Sequence, residues 1–202
     1  MAKGLDCPKS LAGRADALVR LGYAWVARYL FDHSSFKDVL TQAEADELSA
    51  AGLYIVTVWE NGQPTNDAYF TAAQGGIDGA HAARRAHGAG QPAGTPIYFA
   101  VDGDVTPERA LPYFQAIRNA LCGAGARYSA AVYGSGAVCR LLERCGLVSH
   151  TWLSQSRGWR GYLEESRWAD IVQGDEGTIV GLDVDHDVSD GSAGGWKIPH
   201  EA

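Results

Sequence analysis

Two aspartates one residue apart, Asp102 and Asp104, follow a short apolar stretch near the middle of the chain. Apolar side chains alternate through residues 97–101, a pattern that predicts a buried strand. Thr106 and Pro107 are typical of a helix N-cap and a first helical position, so the acids lie where a strand passes to a helix. Strand alternation predicts that both carboxylates point the same way. Closely spaced carboxylates raise each other's pKa, which keeps one of them protonated for general acid chemistry.

Four further acids also lie at the ends of predicted strands. Asp6 ends the first predicted strand, Glu60 ends the third, and Asp183 and Asp185 end the eighth. In a barrel of alternating strands and helices, the carboxyl ends of the strands form the mouth that carries the active site. Strands one and eight are neighbours only in a closed barrel. The acids therefore favour closure and predict one acidic mouth.

The chain repeats a module of short apolar strand, polar tip, amphipathic helix and glycine. Eight strands are predicted, at residues 3–6, 25–29, 53–60, 97–101, 128–133, 151–154, 169–173 and 179–185. The predicted fold class is α/β, a single compact (β/α)8 barrel of the TIM type over residues 1–202, with a short helical unit at 158–167 and a terminal tail at 191–202. An open, doubly wound sheet is the alternative. It lacks support because the sequence has neither a G-x-G-x-x-G fingerprint after the first strand nor a P-loop.

The composition limits the expected partners and location. The chain has 202 residues, a formal net charge of −7 and no basic stripe, which argues against nucleic acid and anionic membranes as partners. Its first residues hold no apolar signal segment, and no later apolar run is long enough to span a bilayer. We therefore expect a monomer that is made in the cytoplasm without a signal peptide and reaches its place of action by another route.

The sequence predicts neither a metal site nor a cofactor. The six histidines form no H-E-x-x-H motif or paired spacing. Residues 183–187 have aspartates spaced as in a calcium loop. Val188, however, stands where that loop needs glycine, and Gly194 stands where it needs the bidentate glutamate.

Five segments carry a resemblance to a known family: residues 4–6 (GLD), 27–30 (ARYL), 97–104 (IYFAVDGD), 131–134 (AVYG) and 180–185 (VGLDVD). Together they resemble, over almost the whole chain, the glycoside-hydrolase-like TIM-barrel family labelled domain of unknown function 1906. That family is similar to the family 25 lysozymes, which place an Asp on the first strand, an Asp-x-Glu on the fourth and an Asp near the eighth. The resemblance maps these acids onto Asp6, Asp102 with Asp104, and Asp183 or Asp185. Asp104 departs from the pattern, because the lysozymes have a glutamate there.

The resemblance implies a lysozyme-like or endolysin-like hydrolase that cleaves an N-acetylated polysaccharide, with bacterial peptidoglycan of the cell wall as its substrate. Glycosidic cleavage needs one carboxylic acid to protonate the leaving oxygen and a second group to stabilise the positive sugar centre. We expect Asp102 to orient the substrate and Asp104, or the longer Glu60, to donate the proton, with Asp6 and Asp183 completing the catalytic set. The alternative is a catalytically silent barrel that binds carbohydrate or cell wall, since binding also uses carboxylates.

Seven further side chains are candidates for substrate binding, because aromatic faces stack on sugars and polar groups fix their orientation. They are Arg28, Trp59, Tyr98, Tyr133, Trp152, Gln155 and Asp185. Arg28 is expected to point into the barrel and to pair with one of the strand-end acids, because an unpaired buried charge is costly. The aromatic side chains have the alternative of packing in the core, and we expect about half of them to line the site.

Overall fold

The computed structural model is a closed barrel of eight strands surrounded by helices, which confirms the predicted fold class. It describes residues 1–34, 36–62, 64–123, 128–191 and 193–199. The strands follow one another around the barrel in chain order. They are β1 Ala2–Asp6, β2 Trp25–Leu30, β3 Tyr54–Trp59, β4 Pro96–Ala100, β5 Ser129–Gly134, β6 Thr151–Leu153, β7 Ile171–Ile179 and β8 Leu182–Ser189.

Helices join the first seven strands. Within the described residues they are α1 Ala15–Arg20, α2 Gln42–Ala50, α3 Ala72–Gly88, α4 Pro107–Gly123, α5 Gly136–Arg144 and α6 Tyr162–Glu165. Thr41, Thr71 and Ser135 cap α2, α3 and α5, each hydroxyl accepting the backbone N–H three residues later. The four-residue α6 is the short unit expected between strands six and seven.

The last strand departs from the parallel arrangement that the sequence predicted. β8 runs antiparallel to both of its neighbours, β7 and β1. The seventh strand was expected to end at Gln173, but it continues to Ile179 and turns back through Val180 and Gly181, both at positive φ. A hairpin needs only two residues to reverse the chain, whereas a parallel connection needs a dozen or more. Consequently it is the start of β8, not its end, that lies at the mouth formed by the other strands.

The core has two layers, one inside the barrel and one between strands and helices. The inner layer is small and aromatic, with Trp152 in edge contact with Trp25 and Tyr98 at centroid distances of 6.4 and 5.8 Å. Gly4 makes room for this packing, because a Cβ there would lie 2.1 Å from the Trp25 indole. Aromatic rings therefore fill much of the barrel interior below its mouth.

Part of the predicted terminal tail is built into the barrel. Ile55 and Trp196 exchange backbone hydrogen bonds of 2.8 and 2.9 Å, and Trp196 is buried. The Tyr98 hydroxyl also donates to the carbonyl of Ala193 at 3.0 Å. Residues 192 and 200–202 of that tail lie outside the described residues. Among the described helices, none combines the length and the apolar character needed to cross a bilayer.

Candidate active site

A pocket of about 340 Å³ opens at the carboxyl ends of the parallel strands. Its volume lies within the range of small-ligand sites. The lining residues include four carboxylates, Asp6, Glu60, Asp102 and Asp185, and several aromatic or amide side chains, Tyr29, Phe36, Tyr133, Trp152, Gln155 and Gln173. Asp6 is the last residue of β1, Glu60 directly follows β3, and Asp102 lies two residues after β4, so the barrel places all three at one end.

Asp6 is the most firmly held of these acids. One carboxylate oxygen accepts the Tyr29 hydroxyl at 2.7 Å and the other accepts the Gln173 amide at 3.0 Å. The side chain is almost fully buried. Burial, followed by the charge of Asp185, raises the pKa of Asp6 to about 7, although the hydrogen bonds from Tyr29 and Gln173 oppose that rise. Asp6 therefore changes its charge near neutral pH.

Gln173 organises this side of the pocket. Its amide nitrogen donates to Asp6 and also to Asp185 at 3.0 Å each. Its amide oxygen accepts the Tyr133 hydroxyl at 2.9 Å and the backbone N–H of Gln155 at 3.2 Å. With both ends engaged, the amide has one orientation, and it bridges two carboxylates that would otherwise repel each other.

A further acid, Asp187, lies two residues along β8 from Asp185 and is buried. One oxygen accepts the indole N–H of Trp152 at 3.0 Å, and the other has no partner among the described residues. Burial and the charges of Asp6 and Asp185 raise the pKa of Asp187 well above its usual value. Three carboxyl groups on two neighbouring strands thus share one poorly solvated region.

The opposite side of the pocket holds Asp102, Glu60 and Lys37. Asp102 is part-buried, and no described residue donates a hydrogen bond to its carboxylate. Burial and the charge of Glu60 raise the pKa of Asp102, and the Lys37 ammonium partly opposes the rise. Glu60 forms an ion pair of 2.5 Å with Lys37, whose ammonium also lies 4.4 Å from the centre of the Tyr29 ring. Among the described residues, Asp102 is thus the pocket acid with no hydrogen-bond or ion-pair partner on either carboxylate oxygen.

Asp104 lies outside the pocket, so the expectation that it points with Asp102 is wrong. β4 already ends at Ala100, and strand alternation no longer applies at residues 102–104. The Asp104 carboxylate instead accepts the backbone and side-chain N–H groups of Arg160, both at 3.1 Å, on the protein surface.

Asp183 is separated from the pocket by the reversal of β8. Asp185, not Asp183, stands opposite Asp6 in the strand pairing. Asp183 is exposed on the projecting hairpin, where the Thr178 hydroxyl donates to it at 3.3 Å. It lines a second depression that also touches Asp6 and Asp185. Of the two aspartates that the resemblance offered for this position, the structure brings Asp185 to the pocket.

Arg28 points away from the barrel interior, contrary to expectation. Trp25, Ala27 and Tyr29 take the inner face of β2, so Arg28 faces the helices, where it is fully buried. Its Nε donates to Glu44 of α2 at 2.7 Å, and it also donates to the carbonyl of Cys7. The predicted need for a partner was correct, but the partner is a helix carboxylate.

Two of the aromatic candidates belong to the core. Trp59 lies on the helix side of β3, in edge contact with His81 of α3 at a centroid distance of 6.4 Å. Tyr98 lies inside the barrel and does not line the pocket. Tyr133, Trp152 and Gln155 do line it.

Sequence reasoning missed Tyr29, Lys37 and Gln173. Tyr29 and Gln173 are the last residues of predicted strands, and the rule that selected the acids would have found them if it had included all polar strand ends. Lys37 lies in the β2–α2 loop, where no sequence pattern marks it. Among the described residues, no group of three or more His, Cys, Asp or Glu side chains is arranged to hold a metal ion.

Comparison with known proteins places this chain in a family. A family model described as "Rv2525c-like, glycoside hydrolase-like domain" matches residues 16–190. The uncharacterized protein YbfG of Bacillus subtilis (strain 168) is 31% identical over 198 residues, which cover 86% of this chain but 27% of YbfG. The chain thus spans less than a third of the length of that relative.

Three solved structures share the fold at low sequence identity. The Tat-secreted protein Rv2525c of Mycobacterium tuberculosis has a TM-score of 0.80 at 21% identity, covering 96% of this chain and 98% of its own. A muramidase from Trichobolus zukalii has a TM-score of 0.59 at 13% identity, covering 95% of both chains. A family 25 glycosyl hydrolase from Bacillus anthracis has a TM-score of 0.57 at 12% identity, covering 95% and 90%. On the strength of the family match, which spans most of its length, the chain belongs to the Rv2525c-like, glycoside hydrolase-like domain family.

Proposed function

We propose that this domain hydrolyses glycosidic bonds of an N-acetylated polysaccharide, and that bacterial peptidoglycan is its substrate. The observation that carries the proposal is the pocket at the barrel mouth, where Asp6 and Asp102 stand among four carboxylates. A muramidase and a family 25 glycosyl hydrolase share the fold. The polysaccharide would lie across the mouth, with one sugar entering the cavity.

We assign the proton donor to Asp102. The donor must carry a proton near neutral pH and have an oxygen free for the leaving group. Burial and Glu60 raise the pKa of Asp102, and its oxygens have no donor among the described residues. Glu60 is less suited, because one of its carboxylate oxygens is already engaged in the ion pair with Lys37. In cleavage the proton moves from the Asp102 carboxyl to the glycosidic oxygen as the bond to the anomeric carbon breaks.

We assign charge stabilisation to Asp6. In its ionised form it accepts hydrogen bonds from Tyr29 and Gln173, which fix its position before a substrate arrives. A carboxylate held there stabilises the positive charge that develops at the anomeric carbon, or orients the acetamide of an N-acetylated sugar to do so. Phe36, which lines the pocket and has 64% of its surface exposed, offers a face on which a neighbouring sugar can stack.

The proposal is tested by measuring reducing ends released from purified peptidoglycan. Asp102→Asn should lower turnover about a hundredfold or more, since proton donation contributes that much. Asp104→Asn is the matched control, because Asp104 lies outside the pocket and should be dispensable. Full activity of Asp102→Asn would remove Asp102 from the donor role, and loss of activity in Asp104→Asn alone would return that role to Asp104.

A second candidate function is carbohydrate binding without catalysis. One observation favours it: the residue at the lysozyme acid position, Asp104, is engaged by Arg160 on the surface. Under this alternative the wild-type protein would release no reducing ends, yet it would sediment with cell walls. In either case we propose that the domain acts at the cell wall.

A further inference from the structure

Lys37 is the one cation among the described residues that line the pocket. The other ionisable groups with acidic or basic side chains in the lining are the carboxyl groups of Asp6, Glu60, Asp102 and Asp185, which are either neutral or negative. A negatively charged group on a ligand would be repelled by each of these groups that is ionised and attracted by the Lys37 ammonium. The location of this single positive charge therefore decides where an anionic group can be accommodated.

The Lys37 ammonium retains hydrogen-bonding capacity. An ammonium has three N–H donors. Within the part of the chain that the structure describes, Nζ contacts one carboxylate, that of Glu60, and the face of the Tyr29 ring. Its side chain is 16% exposed, so it is largely desolvated yet open to the cavity. Donors in such a position bind a second acceptor more strongly than they would in bulk water.

The residues around the Lys37 ammonium are suited to a ligand that carries a carboxylate on a sugar. Lys37 lies over the ring of Tyr29, whose hydroxyl donates to Asp6, so one tyrosine side chain contacts both the cation and the acid that would face the sugar ring. Phe36, its neighbour in the loop, presents an exposed apolar face at the same rim. A ligand with a sugar ring, a short apolar arm and a carboxylate would satisfy all three features.

We propose that Lys37 forms a subsite for a free carboxylate on the saccharide, and so sets the preference of this domain for acidic over neutral sugars. The inference rests on the proposed function, because it takes a polysaccharide as the ligand. In peptidoglycan such a group is the lactyl carboxylate of a muramic residue that carries no peptide. A uronic acid offers the same chemistry.

The test is the affinity for four disaccharides, measured by calorimetry so that it does not depend on hydrolysis. They are N-acetylglucosaminyl-N-acetylmuramic acid, the same compound with its lactyl carboxylate converted to the carboxamide, an N-acetylglucosamine–glucuronate disaccharide, and neutral diacetylchitobiose. The wild-type protein should bind the lactyl carboxylate about tenfold more tightly than the carboxamide, a difference typical of one charge-assisted hydrogen bond. The glucuronate arm distinguishes a uronate from a lactyl group as the source of the carboxylate.

Three variants separate recognition from structure. Lys37→Met keeps the length of the side chain without its charge and should abolish the tenfold preference, whereas Lys37→Arg should retain most of it. Lys9→Met is the matched control, because Lys9 contacts the Phe36 carbonyl in the same region but does not line the pocket. Glu60→Gln releases Lys37 from its ion pair and should tighten binding of the carboxylate ligand severalfold.

The outcomes separate this inference from the proposed function. Equal affinity of the wild-type protein for carboxylate and carboxamide, or a preference that survives in Lys37→Met, would overturn the subsite while leaving polysaccharide binding intact. Binding of none of the four disaccharides would overturn both. Loss of the preference in Lys9→Met as well would assign the effect to the loop rather than to Lys37.

Discussion

The two sides of the pocket hold their acids in different ways. On one side, Asp6 accepts hydrogen bonds from Tyr29 and Gln173, and the Gln173 amide is itself held at its oxygen. On the other side, Asp102 has no hydrogen-bond donor among the described residues, and the charge near it is the ion pair of Glu60 with Lys37. The side around Asp6, the fixed side, is organised before a ligand binds. The side around Asp102, the adaptable side, depends on the Lys37 side chain, which can exchange partners.

The difference suggests how one pocket divides the work of cleavage. A group that stabilises developing charge is most effective when it needs no reorganisation during the reaction, which suits the network around Asp6. A proton donor needs a raised pKa and free access to the leaving oxygen, which suits Asp102.

The fixed side should dominate the pH dependence of stability. Asp6 has a folded-state pKa of about 7 against its ordinary 3.8, so the folded protein binds more protons than the unfolded chain between these values. The free energy of unfolding should therefore fall as pH rises from about 4 to about 7, and this group contributes up to roughly 4 kcal/mol to the fall. Asp6→Asn removes the titration, and urea unfolding at about pH 4.5 and pH 7.5 should show a smaller fall than in the wild type.

The control for this experiment is Asp104→Asn, which replaces an exposed aspartate outside the pocket. It should show the pH dependence of the wild-type protein. If Asp6→Asn also keeps the wild-type dependence, Asp6 is not the acid whose protonation couples to folding, and the fixed side would lose its distinguishing property.

The hydrogen bond from the Tyr29 hydroxyl to Asp6 should contribute to stability in a pH-dependent way. Tyr29→Phe deletes the donor that favours ionised Asp6 and should raise the pKa of Asp6 further. Because this bond reaches a charged acceptor, its loss should cost about 2 kcal/mol in unfolding free energy at about pH 8, and less at about pH 5, where Asp6 is protonated. Chemical denaturation at the two pH values measures the difference.

Tyr133→Phe is the matched comparison within the same network. Its hydroxyl donates to the Gln173 amide oxygen, a neutral group that also accepts the Gln155 N–H. Its loss should cost about 1 kcal/mol and should vary little with pH. Equal pH dependence in the two variants would mean that Tyr29 acts on the fold in general rather than on the charge of Asp6.

The sequence predicted the acids on parallel strands because a strand-end position depends on two local signals, an apolar alternation and the turn that ends it. Asp6, Glu60 and Asp102 follow from such signals, and all three line the pocket. Asp104 did not follow, because the alternation was continued past Ala100, where the strand has already ended.

The remaining errors came from choices that local pattern cannot make. Arg28 and Trp59 lie on the face of their strands opposite to the one expected, because alternation gives two faces but does not say which one is inside. Glu44, the helix partner that fixes Arg28, is 16 residues away in the chain. The reversal of β8 likewise depends on pairing with both β1 and β7, which no local segment encodes.

The smallest effect concerns the adaptable side and tests whether its two acids are coupled. Burial is the main cause of the raised pKa of Asp102, and the charge of Glu60 adds to it. Glu60→Gln removes that charge and leaves Lys37 without its ion pair, so both changes favour ionised Asp102 and should lower its pKa. Carboxyl-carbon NMR titration measures this shift directly. If Asp102 donates the proton, the alkaline limb of the pH–activity profile should move to lower pH by the same amount.

Glu176→Gln is the control from the other side of the pocket, since Glu176 raises the pKa of Asp185 and is not among the groups that shift the pKa of Asp102. It should lower the pKa of Asp185 and leave that of Asp102 unchanged. A shift of Asp102 in both variants would mean that the two sides form one electrostatic unit, and the division of labour between them would have to be abandoned.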